Sequence, residues 1–101
     1  MKVDISETAG GLVIKLSGEL DHHAARTVLV EISDATDSIV PTICTLDLSE
    51  VSFMDSSGIA VALGLYKKMQ EVGGRMTVKG ASAQAMKVFR AAGLERIITF
   101  E

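Results

Sequence analysis

The segment Asp55-Ser56-Ser57-Gly58 places polar side chains directly before the most regular helical pattern of the 101-residue chain. The first backbone N–H groups of a helix have no partner within the helix, and the aligned peptide dipoles make that end positive. A phosphate on a serine at this point would be partly stabilised by these groups. Serine and aspartate are also common as ordinary N-caps, and the motif alone favours that simpler interpretation.

A second polar segment, Gly18-Glu19-Leu20-Asp21-His22-His23, precedes another helical pattern, with Asp21 as its predicted N-cap. His22 and His23 are adjacent, so a helix cannot aim both at one metal ion, and no further ligands occur at metal-binding spacing. A Ser–His–Asp arrangement of Ser56, His22 and Asp21 lacks an identifiable oxyanion donor. The glycine pairs lack the Gly-Lys-Ser/Thr ending of a phosphate-binding loop. We therefore expect a protein that is not an enzyme, with no metal and no cofactor.

One ridge of the helix after Asp55 carries mostly small residues: Ser56, Ala60, Gly64 and Lys67 follow one another at helical spacing. A smooth surface beside the serine would allow a partner to approach closely. Gly64 lowers helix stability by about 1 kcal/mol relative to alanine, which indicates a close approach at this position. That approach is either to a partner or to the protein's own sheet.

The periodicity of apolar residues predicts the order β-β-α-β-α-β-α-β. Alternation and apolar runs predict strands at residues 3–7, 12–17, 42–48, 76–78 and 97–100, with a loop at Ser49–Asp55. Helical spacing predicts helices over 22–37 and 57–72 and a third helix capped by Ser82. The predicted core-facing residues of the second and third helices are Ile59, Ala62, Leu63, Tyr66 and Met69, and Ala85, Val88, Phe89 and Ala92.

This order predicts an α/β fold with a mixed sheet of four to five strands, the first antiparallel and the rest parallel, with helices packed on it. Functional groups of such sheets gather beyond the carboxyl ends of the strands. The loops at 18–23, 51–58 and 80–82 are expected to meet there.

Composition excludes several classes of protein. Hydrophobic residues make up 48% of the chain and charged residues 23%, which is incompatible with a disordered chain. A net charge of −3 and an aromatic content of 4% disfavour direct nucleic-acid binding. The single cysteine, Cys44, permits no internal disulfide and is expected to be a small buried residue. With neither a signal-peptide pattern nor a membrane-spanning run, the expected location is the cytoplasm, without membrane contact.

The two polar segments, extended to Leu46–Ile59, together with Gly73-Gly74 and Ala91-Ala92-Gly93-Leu94, resemble the bacterial anti-sigma factor antagonists. These proteins are single STAS (sulphate transporter and anti-sigma factor antagonist) domains. The resemblance runs from about residue 3 to residue 101 and is strongest to the sporulation anti-sigma F type, so we expect one STAS domain over 1–101. The family usually carries a further helix after the last strand.

The resemblance implies a partner switch. The unphosphorylated antagonist binds an anti-sigma factor that is also a serine kinase and so releases a sigma factor. Phosphorylation then breaks the complex, and a phosphoprotein phosphatase restores the antagonist. The implied acceptor is Ser56, with Asp21 at the partner contact and Asp55 shaping the loop. Including the exposed ridge, the predicted partner-binding residues are Asp21, His22, His23, Asp55, Ser57, Gly58, Ala60, Gly64 and Lys67.

A second function within the same family is a STAS subunit of a membrane transporter complex, such as one for lipid transport, that is not phosphorylated. The two intact serines after Asp55 favour the switch, because relatives that do not switch often lack one of them.

Overall fold

The computed structural model describes residues 1–101 and contains a five-stranded sheet with three α-helices. The sheet has the strand order β1-β2-β3-β4-β5, with β1 antiparallel to β2 and every other neighbouring pair parallel. This arrangement confirms the predicted α/β class and mixed sheet. The elements are β1 (Lys2–Thr8), β2 (Gly11–Leu20), α1 (His22–Ile39), β3 (Ile43–Met54), α2 (Ser57–Glu71), β4 (Arg75–Lys79), α3 (Ala83–Ala91), a 3-10 turn (Leu94–Arg96) and β5 (Thr99–Phe100).

The sheet has one buried face and one open face. Each helical crossover moves one strand further in the same direction, so right-handed connections place all three helices on the same side. The strand residues that face the helices form the centre of the core, and they are Leu12, Ile14, Leu16, Leu20, Cys44, Leu46, Leu48, Val51, Met54, Met76 and Val78. The open face carries a row of alternating charges, Asp4, Lys15, Asp47 and Lys79, on four neighbouring strands.

The predicted loop at Ser49–Asp55 is wrong, because β3 continues to Met54. Strand β2 also continues past its predicted end, to Leu20, and pairs with the extended part of β3. Irregularities in the pairing between Lys15 and Ser17 and between Gly18 and Glu19 shift the register. Such bulges break the alternation from which a strand is recognised, so the sequence pattern ends before the strand does.

Two helices are rotated or shortened relative to the prediction. In α2, the fully buried residues are Gly58, Val61, Ala62, Leu65 and Met69, whereas the predicted Ile59, Leu63 and Tyr66 are only half-buried. These three flank the core instead of facing its centre. In α3, Ala85 and Phe89 are buried as predicted and Val88 is half-buried, but Ala92 is exposed because the helix ends at Ala91.

Helix α1 ends at an unusual residue. Val40 follows the helix with a φ of 50°, in the left-handed region, and its N–H donates to the carbonyl oxygen of Thr36. A β-branched side chain rarely adopts this conformation. Pro41 follows immediately, so the chain turns sharply into β3.

None of the three helices combines the length and the apolar character that a membrane crossing requires.

Candidate functional site

The ends of β2 and β3 lie side by side and bring the two polar segments together. Leu20 and Met54 are partners in the parallel pair, and the N–H of Asp55 donates to the carbonyl oxygen of Leu20 at 3.2 Å. Asp21 and Asp55 each follow one of these strands, so their loops are neighbours. The predicted clustering of the first two loops is therefore confirmed.

The start of α2 is organised by Asp55. Its carboxylate oxygen Oδ1 accepts a hydrogen bond from the N–H of Ser57 at 2.7 Å, and its carbonyl oxygen accepts one from the N–H of Gly58 at 3.1 Å. Ser56 is exposed, and its side chain makes no capping hydrogen bond. The simpler interpretation, an ordinary N-cap, is therefore confirmed for Asp55 but not for Ser56. The expectation that free helix-end N–H groups would meet a phosphate also needs correction, since Asp55 already occupies those of Ser57 and Gly58.

The start of α1 is capped by Asp21 as predicted. Its Oδ1 accepts from the N–H of Ala24 at 2.9 Å. This hydrogen bond holds the pKa of Asp21 below its ordinary value; partial burial acts in the opposite direction, and the nearby His23 and His22 lower the pKa further. The two histidine rings are both exposed, with centroids 4.1 Å apart. No group of three or more His, Cys, Asp or Glu side chains in the chain is placed to hold a metal ion.

An acidic surface depression of about 600 Å³ lies beside Asp21. Its lining includes Glu19, Asp21, His23 and Glu31. We did not predict Glu31 from the sequence, although His23, Thr27 and Glu31 follow one another four residues apart along one face of α1. From that spacing, Glu31 could have been assigned to the same surface as His23.

Two glycines among the predicted partner-binding residues face the interior of the protein. Gly58 is buried, and a Cβ atom there would collide with Sδ and Cγ of the Met54 side chain. Gly64 is half-buried, and a Cβ atom would come 2.7 Å from Cδ2 of Leu29 on α1. The close approach at Gly64 is thus to α1, and not to the sheet as the intramolecular alternative assumed. Of the remaining ridge residues, Ala60 and Lys67 are exposed.

Gln84 of α3 reaches the same region and was not predicted. Its side-chain Nε2 donates to the carbonyl oxygen of Met54 at 2.7 Å, and its Oε1 accepts from the N–H of Met54 at 3.0 Å. No sequence signal reveals a contact between residues so distant in the chain. The predicted third loop, at 80–82, begins beside the middle of β3 and not at its end, because Gly80 packs closely against Ser49.

Phe53 is a second residue of this region that the sequence did not indicate. It directly precedes Met54 and is 46% exposed, an unusual position for a large aromatic side chain. Because the segment was predicted to be a loop, no face could be assigned to this residue.

Cys44 and Asp47 lie outside the site, and Cys44 is buried as predicted. Burial raises the pKa of the Cys44 thiol to about 12, so the side chain is an inert part of the core. Burial also acts to raise the pKa of Asp47, but hydrogen bonds from Ser49 and the charges of Lys15 and Lys79 outweigh it and leave the pKa below its ordinary value.

Comparison with known proteins shows matches over nearly the whole chain. Residues 2–101 match the family profile of the STAS domain. An anti-sigma F factor antagonist of Paenibacillus polymyxa is 33% identical over 97% of this chain and 84% of its own. The corresponding antagonist of Lysinibacillus sphaericus is 40% identical over 82% of this chain and 71% of its own. The Escherichia coli (strain K12) binding protein MlaB of an intermembrane phospholipid transport system is 32% identical over 81% of this chain and 80% of its own.

Two solved structures extend the likeness. The anti-sigma factor antagonist SpoIIAA in its unphosphorylated form superposes with a TM-score of 0.85 at 33% identity, covering 99% of this chain and 88% of that one. The phosphorylated form of the Bacillus cell fate determinant SpoIIAA superposes with a TM-score of 0.77, covering 99% of this chain and 91% of that one, also at 33% identity. The expectation of a binding protein that is not an enzyme agrees with these antagonists.

Proposed function

Because the chain belongs to the STAS domain family, we propose that it is a cytoplasmic anti-sigma factor antagonist that is switched off by phosphorylation of Ser56. The observation that carries the proposal is the exposed Ser56 hydroxyl at the start of α2, which is free of capping hydrogen bonds because Asp55 supplies the cap. A related structure described as phosphorylated supports a phosphorylated form of this fold.

The acceptor is Ser56 and not its neighbour Ser57. Ser56 is exposed, whereas Ser57 is half-buried and its backbone N–H is held by Asp55. In the transfer, the bond between the γ-phosphorus of ATP and its bridging oxygen breaks, leaving ADP. A new P–O bond forms to Oγ of Ser56, and the hydroxyl proton passes to a base of the kinase. The partner is therefore an anti-sigma factor with serine kinase activity.

The electrostatics of the site explain why a phosphate would end the interaction. Phosphorylation adds a charge of about −1.5 to −2 at one point. The adjacent Asp55 and the neighbouring loop with Asp21 are already acidic, and the first amides of α2 are engaged. These carboxylates would repel the dianion, and a docked partner without a matching cation would have to bury it unpaired, which strongly disfavours binding. A phosphoprotein phosphatase would restore the binding form.

The proposed docking face surrounds Ser56. Asp21, His22 and His23 form its edge at the start of α1, and Asp55 and Ser57 form its centre. Ala60 and Lys67 continue the exposed surface along α2. Gly58 and Gly64 contribute by letting Met54 and Leu29 pack closely beneath this surface, so their role in docking is indirect.

Phosphosite mapping tests the proposal. The protein and its Ser56→Ala and Ser57→Ala variants are incubated with the cognate anti-sigma factor and ATP and then analysed by mass spectrometry. We expect one phosphate on the wild type and on Ser57→Ala, and none on Ser56→Ala. A wild-type protein that stays unmodified, or that is modified on Ser57, would contradict the proposal.

The likeness to the phospholipid transport protein of Escherichia coli favours one alternative, a transporter subunit that is not phosphorylated. Under that alternative the protein would co-purify with a transporter ATPase from membrane fractions, and Ser56→Asp would leave its partner affinity unchanged. Under the proposed function it would be absent from those fractions and Ser56→Asp would weaken binding to the anti-sigma factor.

A further inference from the structure

Strand β3 extends well beyond the end of its neighbour β4. The pairing of β3 with β4 stops at Asp47 and Lys79, while β3 itself continues to Met54. At the far end Asp55 donates its N–H toward β2, so the N–H and carbonyl of the preceding Met54 point to the opposite side, where β4 is missing. Met54 is 0% exposed, and buried backbone groups of this kind require partners.

The side chain of Gln84 supplies both partners. A primary amide has one acceptor and two donors in nearly the geometry of a peptide group, so a single side chain imitates the edge of a neighbouring strand. The two hydrogen bonds to Met54, at 2.7 and 3.0 Å, are part-buried. Helix α3 holds Gln84 in place, because Ser82 caps the helix through the N–H of Ala85 at 3.1 Å and Ala85 and Phe89 are buried in the core.

The residue fixed by Gln84 connects directly to the acceptor turn. Met54 immediately precedes Asp55, and its thioether packs where Gly58 has no side chain. The turn from Asp55 to Gly58 is thus held from two sides, by the carbonyl oxygen of Leu20 and by the amide of Gln84. Resting on the proposed function, we propose that Gln84 is a positioning residue that fixes the backbone at Met54 so that Ser56 is presented to the kinase.

The experiment compares wild type with Gln84→Met, which retains the length of the side chain and removes both the donor and the acceptor. Amide hydrogen exchange is measured by NMR on the free protein, and kcat and KM are measured for phosphorylation by the purified cognate anti-sigma factor kinase. We expect the Met54 amide to exchange faster while the central sheet amides of Ile14 and Leu46 are unchanged. We expect kcat/KM to fall at least about tenfold, because small displacements of a reacting group are costly.

Gln70→Met is the matched control, since Gln70 is exposed and its side chain bonds only to Tyr66 on its own helix. It should leave both measurements unchanged. The proposal is overturned if Gln84→Met is phosphorylated like wild type, or if its exchange rises equally at Ile14 and Leu46, because the role would then be general stability. If the wild type accepts no phosphate, the proposed function fails independently of Gln84. The amide exchange then still shows whether Gln84 fixes Met54, because faster exchange confined to Met54 supports that role and faster exchange throughout the sheet contradicts it.

Discussion

The carboxylate of Asp55 caps α2 through the N–H of Ser57, with 2.7 Å between Oδ1 and N, and so leaves the intervening Ser56 hydroxyl exposed and free of capping bonds. One residue performs the structural function at the helix start, and its neighbour is available for modification. Replacing the cap should therefore affect stability, whereas replacing Ser56 should affect only binding and phosphorylation.

Asp55→Ala should lower the free energy of unfolding by about 1 kcal/mol, the usual effect of losing an N-cap side chain. Asp55→Asn retains an acceptor for the Ser57 N–H and should lose much less. Urea denaturation followed by circular dichroism gives both values. Equal losses for the two variants would show that the hydrogen bond to Ser57 is not what the carboxylate contributes.

Asp21 should make stability depend on pH in the acid range. The Ala24 N–H donates to the ionised carboxylate and so holds the pKa of Asp21 below its ordinary value of 3.8. The ionised form is therefore favoured by folding, and its stabilisation is present above pH 4 or so and lost as the pH falls through the folded-state pKa. Urea midpoints measured between neutral and acid pH should decline less steeply for Asp21→Asn than for wild type. Parallel declines would contradict this expectation.

The two glycines of α2 should respond differently to alanine. At Gly58 the new Cβ meets the buried Met54 side chain, so Gly58→Ala should destabilise the protein by about 1–3 kcal/mol through overpacking. At Gly64 the Cβ meets only the mobile end of half-buried Leu29, and the gain in helix propensity of about 1 kcal/mol offsets that contact. Thermal unfolding of both variants tests the difference, and a larger loss for Gly64→Ala would contradict it.

Val40→Asn should stabilise the protein by about 0.5–1 kcal/mol, because asparagine tolerates the left-handed conformation that valine resists. Val40 is 56% exposed, so little apolar contact is lost. Val30→Asn is a suitable control, since Val30 is 61% exposed within α1 and has ordinary helical geometry. A rise in melting temperature for both variants would point to a general surface effect and not to strain at Val40.

Local signals in the sequence were sufficient for the helix starts. Asp21 and Ser82 each bond to an N–H three residues further along, so the cap and the donor lie within one short segment. The paired ends of the parallel strands also followed from topology, and they place Asp21 near Asp55.

Non-local relationships were not predictable. The bulges in the pairing near Ser17 and Glu19 hid the second half of β3, because the alternation of apolar residues is irregular there and only the pairing with β2 reveals the strand. Gln84 bonds to a residue 30 positions away, and a lone glutamine carries no indication of its partner. The approach of Gly64 to Leu29 depends on how α1 packs against α2, which spacing along a single helix does not define.

The affinity of the anti-sigma factor for this protein before and after phosphorylation of Ser56 tests the central claim most directly. Isothermal titration calorimetry of the two purified forms should show that the phosphate weakens binding at least about a hundredfold, the effect of an unpaired charge in a docked interface. Equal affinities for the two forms, with the phosphate confirmed on Ser56, would contradict the switch.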